Sequence, residues 1–327
     1  MSPLLEVRDL QVHFRLPGDG WPARPRTLRA VDGIGFALEA GRTLGVVGES
    51  GCGKSTLARA ILGLIPATAG TVHLRGEPVT GMERKRLRPL RRRMQIVFQD
   101  PLASLDPRMT LGEIIAEPLL ALRPELNRKE RGRRVRRIMD RVGLASGWIN
   151  RYPHEFSGGQ CQRIGIARAL VVEPDLLVCD EPVSALDVSI QAQIVNLLME
   201  LQREMDLAML FIAHDLAVVR QISHEVMVVY LGRMAELGPR DALYRAPRHP
   251  YSRALLDSVP FPDPRIERAR RATPLQGEPP SPLDPPSGCA FHPRCPLARP
   301  ICRAQRPPPA RLGEGRVACH FPLGETS

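Results

Sequence analysis

No stretch of about 18 consecutive apolar residues occurs in this 327-residue chain, so a membrane-spanning helix is not expected. The N-terminus, with Glu6, Arg8 and Asp9, has no signal-peptide core, which points to a cytosolic chain that does not itself cross a membrane. Lysine is scarce: only Lys54, Lys85 and Lys129 stand among the 46 basic residues, and the rest are arginine. Aromatic residues make up 4% of the chain. That shortage bears on the net charge of +11 and the pI of about 10.0, which alone would suggest nucleic acid. The densest basic runs, Arg84–Arg93 and Arg128–Arg141, lack the interleaved aromatics that stack bases. They read as solvated helix faces, an arginine skew that GC-rich coding could produce, and no nucleic-acid partner is expected.

With 43% hydrophobic residues the chain can bury at least one full core. The apolar run Thr43–Val47 leads into Gly48-Glu49-Ser50-Gly51-Cys52-Gly53-Lys54-Ser55-Thr56, a GxxxxGKST loop after a strand and before a helix. Its glycines let backbone N–H groups converge on phosphates, and the helix starting near Lys54 adds its positive dipole end. Lys54 would bridge the β- and γ-phosphates of ATP, and the Ser55 hydroxyl would ligate Mg²⁺. Downstream, Leu176–Cys179 is a hydrophobic strand ending in Asp180-Glu181. An Asp-Glu pair standing alone would be a solvated strand end. Beside a phosphate loop, Asp180 can hold Mg²⁺ and Glu181 can polarise the attacking water as general base.

Between these two features lies Phe156-Ser157-Gly158-Gly159-Gln160, opening an Arg-bearing helix that ends near Val172. A phosphate loop, an SGGQ segment and a strand ending in Asp-Glu, in this order, resemble the ATP-binding cassette (ABC) ATPases over about residues 4 to 257. The resemblance implies that Gln99 contacts the metal or the water and senses the γ-phosphate, that Ser184–Asp187 is the D-loop, and that His214 donates a hydrogen bond to that phosphate. It also implies an adenine-stacking aromatic near the end of the first strand: Phe14, with Trp21 as the other choice and the Leu16–Arg29 insertion blurring the alignment. Ser157, Gly158, Gly159 and Gln160 would complete the nucleotide pocket of a second cassette, two cassettes enclosing two ATP head to tail. Phe156 and Cys161 depart from the family's usual Leu and Arg or Gln, without removing a phosphate contact.

The expected fold class is α/β, a P-loop NTPase cassette with a parallel core sheet and an antiparallel side sheet. Strands are read at Leu4–Phe14, Asp32–Leu38, Thr43–Val47, Leu176–Cys179, Ala208–Ala213 and Val226–Tyr230. Helical patterns at Leu111–Leu122 and Lys129–Val142 fit the family's helical subdomain, about residues 100–165, where importers receive the coupling helices of their membrane subunits. The cassette is assigned to residues 1–259. Residues 260–327 form a largely irregular proline-rich linker, marked by Pro260, Pro262, Pro264 and Pro279 to Pro286, and a cysteine-containing C-terminal extension.

Four of the seven cysteines lie in that extension: Cys289, Cys295, Cys302 and Cys319. Their spacing is not that of a zinc ribbon, and disulfides are disfavoured in a cytosolic ATPase. With Arg248–Leu256 and Gly288–Pro296 they resemble the extension of the dipeptide/oligopeptide importer branch, whose members with this cysteine pattern are associated with a [4Fe–4S] cluster. Four thiolates suit such a cluster; zinc or free thiols remain the other readings. Cys52, Cys161 and Cys179 read as small packing residues. The branch implies an ATPase powering a di- or oligopeptide importer at the cytoplasmic face of the inner membrane. Its partners would be two permease subunits, a second ABC ATPase subunit and, through the permeases, an extracytoplasmic substrate-binding protein. A nickel or glutathione importer of the same branch is the alternative. A soluble ABC ATPase fits less well, since neither a long coiled coil nor a second cassette is present.

Overall fold

The computed structural model describes residues 3–17, 25–258 and 277–324. β1 (Leu5–Leu16) and β2 (Arg26–Leu38) pair antiparallel, with Leu16 opposite Arg26, and form a sheet with β4 (Ala69–Leu74) and β5 (Glu77–Pro78) in the order β2-β1-β4-β5. Both strands run beyond their expected ends, so Leu16 and residues 26–29 of the expected insertion belong to the two strands. In β1 the buried positions are Leu5 and Val7, then Leu10 and Val12. This change of phase coincides with a register shift between Val7 and Leu10, where Asp9 has φ 45°. One extra residue in the strand returns the apolar side chains to the core face.

The second sheet has eight strands. β3 (Thr43–Val47), β6 (Met94–Val97), β7 (Leu176–Asp180), β8 (Ala208–Ile212) and β9 (Glu225–Tyr230) are parallel, and β10 (Arg233–Pro239) returns antiparallel beside β9. Every residue of β3, β7 and β8 is buried, as required of strands covered on both faces. Alternation splits the sheet between two cores. Leu44, Val46, Leu176, Val178 and Leu210 pack toward the antiparallel sheet, whereas Val47, Leu177, Cys179, Met209 and Phe211 pack toward the helices beyond.

Helix α1 (Lys54–Ile61) follows β3, and α2 (Arg84–Arg93) precedes β6. Between β6 and β7 come α3 (Leu111–Leu122), α4 (Arg128–Arg141) and α5 (Gly158–Leu170). Thr110 and Glu113 form a capping box on α3 and Asn127 caps α4, which accounts for the close match of both starts with the sequence. α4 turns Val135, Ile138 and Met139 inward, while Arg134 and Arg137 pair with Glu173.

The C-terminal region is more regular than expected. Pro260, Pro262 and Pro264 lie outside the described residues, but beyond them β11 (Ala310–Leu312) and β12 (Gly315–Val317) form a hairpin. β12 pairs antiparallel with β10, so the large sheet runs β11-β12-β10-β9-β3-β8-β7-β6 and the tail is its edge. Ala290, Phe291, Cys302 and Val317 are buried there, and Arg306 reaches Asp32 on β2.

Candidate functional site

β3 delivers the chain to the phosphate loop, and three glycines give the loop its shape. Gly53 has φ 101°, and a Cβ on it would lie 1.9 Å from the Ala30 carbonyl oxygen; at Gly48 (φ 156°) a Cβ would lie 2.2 Å from that of Val229. The loop is therefore pressed against β2 and β9 where no side chain fits. Ser50, Gly51, Gly53, Lys54, Ser55 and Thr56 line a cavity of about 330 Å³. Phe14 at the end of β1 lines the same cavity, as do Gln99 and Glu181. Trp21 lies outside the described residues. Gly48, Glu49 and Cys52 do not line it; Cys52 is buried beneath the loop, and Glu49 turns toward the C-terminal region.

Lys54 is buried, and its ammonium donates to the carbonyl oxygens of Gly48 at 2.8 Å and Glu49 at 3.0 Å. The Ser55 hydroxyl donates to Asp180 Oδ1 at 2.8 Å. Asp180 is 3% exposed, and burial pushes its carboxyl above the usual range, partly offset by the Ser55 hydrogen bond. A buried carboxylate beside a hydroxyl is a hard-oxygen pair that suits Mg²⁺, whose charge would relieve the cost of burying the anion. The next residue, Glu181, has φ 49°, with its N–H donating to the Ile212 carbonyl at 2.9 Å. Gln99 Nε2 donates to Glu181 Oε2 at 3.1 Å, and His214 Nδ1 lies 3.4 Å from the same oxygen. Three residues from the ends of three strands thus meet at one carboxylate, which can orient a water at the mouth of the phosphate loop.

The SGGQ segment lies elsewhere. Ser157 caps α5 in a capping box: its hydroxyl accepts from Gln160 N–H at 3.4 Å, and Gln160 Oε1 accepts from Ser157 N–H at 2.9 Å. Ser157 and Gly158 are exposed. Gly159 packs on Ile190 of α6 (Val188–Met205), whose N-cap is the exposed Asp187. None of Ser157, Gly158, Gly159, Gln160 or Asp187 lines the phosphate-loop cavity.

Two further residues hold the loop and were not singled out from the sequence. Tyr251, on the helix α7 (Pro250–Asp257), accepts from the Glu49 N–H at 3.0 Å, and Arg294 forms a two-pronged pair with the Glu49 carboxylate at 2.6 and 3.0 Å. Both fall within the Arg248–Leu256 and Gly288–Pro296 segments, the only signal the sequence offered.

The iron–sulfur expectation is corrected. Cys289, Cys295, Cys302 and Cys319 surround one small cavity of about 10 Å³, together with His249, Phe291 and Phe321. Among the described residues, however, no group of three or more His, Cys, Asp or Glu side chains is placed to hold a metal ion. All seven cysteines are free. Burial raises the Cys289 and Cys295 thiols and pushes Cys319 up to about 11. The sulfurs pack as small apolar groups among aromatic rings. Cys161 and Cys179 are buried core residues, with thiols likewise raised by burial.

Among the described residues no helix is long and apolar enough to cross a membrane. The ABC transporter family profile matches residues 31–184, and that of the oligopeptide/dipeptide transporter C-terminal region matches residues 235–302. The chain is 60% identical over 306 residues to the oligopeptide transport ATP-binding protein OppF of Salmonella typhimurium, covering 93% of this chain and 92% of OppF. It is 50% identical over 322 residues to the di/tripeptide transport ATP-binding protein DppF of Pseudomonas aeruginosa, covering 98% of each. These relatives are described as ATP-binding proteins, not as iron–sulfur proteins. Among solved structures, the dimeric ATP-binding cassette MJ0796 bound to ADP and Pi superposes with a TM-score of 0.64 at 26% identity, over 72% of this chain and 98% of that one. The chain therefore belongs to the ABC transporter family, in the branch that carries the oligopeptide/dipeptide transporter C-terminal region.

Proposed function

We propose that this chain is the ATP-hydrolysing subunit of a membrane importer for di- and oligopeptides. The observation that carries the chemistry is the meeting of Gln99, Glu181 and His214 beside the cavity of the phosphate loop. Lys54 and the backbone of Gly48–Thr56 bind the triphosphate, and Phe14 stacks on adenine. Ser55 and Asp180, together with Gln99, would hold Mg²⁺, which when bound would supply charge neutralisation to the triphosphate. Glu181 takes the proton of the attacking water, and His214 hydrogen-bonds the γ-phosphate. Ser157–Gln160 and Asp187 serve the pocket of a second cassette, so that two ATP are held between two subunits. The exposure of Ser157, Gly158 and Asp187, and the absence of all five residues from the lining of the chain's own phosphate-loop cavity, support this arrangement. The cassette is assigned to residues 1–259, with the helical subdomain at about 100–165, and the C-terminal region to 260–327.

The peptide assignment rests on relatives named for oligopeptide and di/tripeptide transport. The chain works at the cytoplasmic face of the membrane, bound to two permease subunits, and an extracytoplasmic substrate-binding protein delivers the peptide to them. Co-expression with its permeases, reconstitution in vesicles and addition of the purified binding protein test this directly. Peptides should stimulate ATP hydrolysis and enter the vesicles. Stimulation by nickel or glutathione and not by peptides would reassign the cargo, and hydrolysis indifferent to the permeases would overturn the transport reading.

A further inference from the structure

Every polar group of Glu49 is engaged. Its N–H donates to Tyr251 at 3.0 Å, its carbonyl accepts from Lys54 at 3.0 Å, and its carboxylate receives both prongs of Arg294. Arg294 stands 245 residues downstream, in the short turn His292–Arg294 of the C-terminal region, and its side chain is 5% exposed. An aromatic cluster locks it in place. Phe291 packs edge-on against Tyr230 with ring centroids 5.3 Å apart, and at 5.2 Å from Tyr251, while the guanidinium lies 6.0 Å from the Tyr230 ring. The hydrogen bonds to Glu49 raise the guanidinium further above its ordinary value.

A carboxylate in the second position of a phosphate loop is a hazard, because an unpaired negative charge there repels the triphosphate. The Arg294 fork neutralises this charge and aims it away from the cavity, and its two-point geometry fixes the start of a loop otherwise rich in glycine. We propose that Arg294 is a positioning residue for nucleotide binding, through which the C-terminal region sets the shape of the phosphate loop by clasping Glu49. The inference rests on the reading of the cavity as an ATP site.

Steady-state hydrolysis by the full-length chain in its transporter complex, together with equilibrium ATP binding, tests it. Arg294→Ala should raise the KM for ATP about tenfold, equivalent to about 1.4 kcal/mol, with kcat changed less than twofold. Arg294→Lys keeps the charge but not the fork, and should raise KM about threefold; it reports even where the alanine variant does not fold. In a Glu49→Gln background the Arg294 substitutions should have no further effect on KM, since the group through which they act is gone. The same rise in both backgrounds, an unchanged KM in either Arg294 variant, or a loss confined to kcat would overturn the inference. A wild-type complex that neither binds nor hydrolyses ATP would instead sink the reading of the site, and the inference with it.

Discussion

Ser55 and Asp180 lie 125 residues apart in the chain and are joined by a 2.8 Å hydrogen bond from hydroxyl to carboxylate. The contact exists because the strands before them run parallel in one sheet: β3 pairs with β8 and β8 with β7, so their C-terminal ends emerge side by side. The glycine-rich loop follows one strand, and Asp180 and Glu181 stand at the end of the other. Open α/β sheets place ligands at this edge because the loops there can diverge and leave a crevice.

With Glu181 in the proposed role of general base, Glu181→Gln should separate binding from turnover. The amide keeps the size and can still face Gln99 and His214, and ATP affinity should stay close to that of the wild type. Turnover should fall by roughly 10²–10⁴-fold, the usual contribution of a general base. Single-turnover kinetics with equilibrium ATP binding checks this, and near-normal steady-state hydrolysis would remove Glu181 from its role.

The glycines of the loop are not equivalent. At Gly53 a Cβ would collide with the Ala30 carbonyl at 1.9 Å, whereas at Gly51 (φ 77°) nothing lies within 4 Å. Both substitutions to Ala incur the left-handed backbone cost of about 1–2 kcal/mol, but only Gly53→Ala must also push β2 away from the loop. Gly53→Ala should abolish ATP binding and lower the melting temperature well beyond Gly51→Ala. Equal effects in a thermal melt would refute the close approach.

What could be seen in the sequence was what is local. Thr43–Val47 and Leu111–Leu122 are placed residue for residue, because a fully buried strand followed by glycine and a helix behind a Thr–Glu capping box carry their signals within a few positions. The Asp-Glu pair at the end of β7 is read from its apolar strand and the phosphate loop, whereas Gln99 and His214 are read through family order, and both lie against Glu181. Long-range relations were not legible. Nothing near Arg294 announces Glu49, and nothing in the proline-rich stretch announces a hairpin that joins the edge of the main sheet. The four clustered cysteines suggested a cluster because spacing reports neither burial nor donor geometry; in the fold they pack beside Phe291 and Phe321.

Because Ser157–Gln160 does not line the cavity of the chain's own phosphate loop, two cassettes should share their sites. In any homodimer, Ser157→Arg chains and Lys54→Ala chains should each be inactive alone. A mixture contains mixed dimers in which the first chain supplies an intact phosphate loop and the second an intact SGGQ segment, restoring one site. Recovered hydrolysis rising with the fraction of mixed dimers is the expected outcome. Full activity of an isolated monomer at low concentration would exclude the shared site.

His249 should give the fold a pH dependence on the acid side of neutrality. His249 is 2% exposed, and its Nδ1 accepts from the Tyr251 N–H at 3.0 Å at the start of α7, a bond available only to the unprotonated nitrogen. Burial lowers its pKa from 6.5 to about 4. Above pH 6.5 neither state binds the proton and the contribution is fully present. Between 6.5 and about 4 the unfolded chain takes up a proton that the folded chain excludes, so stability falls as pH falls, by about 2 kcal/mol at pH 5 and approaching about 3 kcal/mol near pH 4. Glu236, which accepts from the His249 N–H at 2.9 Å and whose carboxyl is raised by burial, acts with the opposite sign. The difference between wild type and His249→Asn therefore isolates the histidine, since asparagine can keep the cap without titrating. Urea midpoints at pH 7.5 and pH 5 should fall further apart in the wild type than in the variant, and parallel shifts in the two proteins would rule out a buried neutral His249.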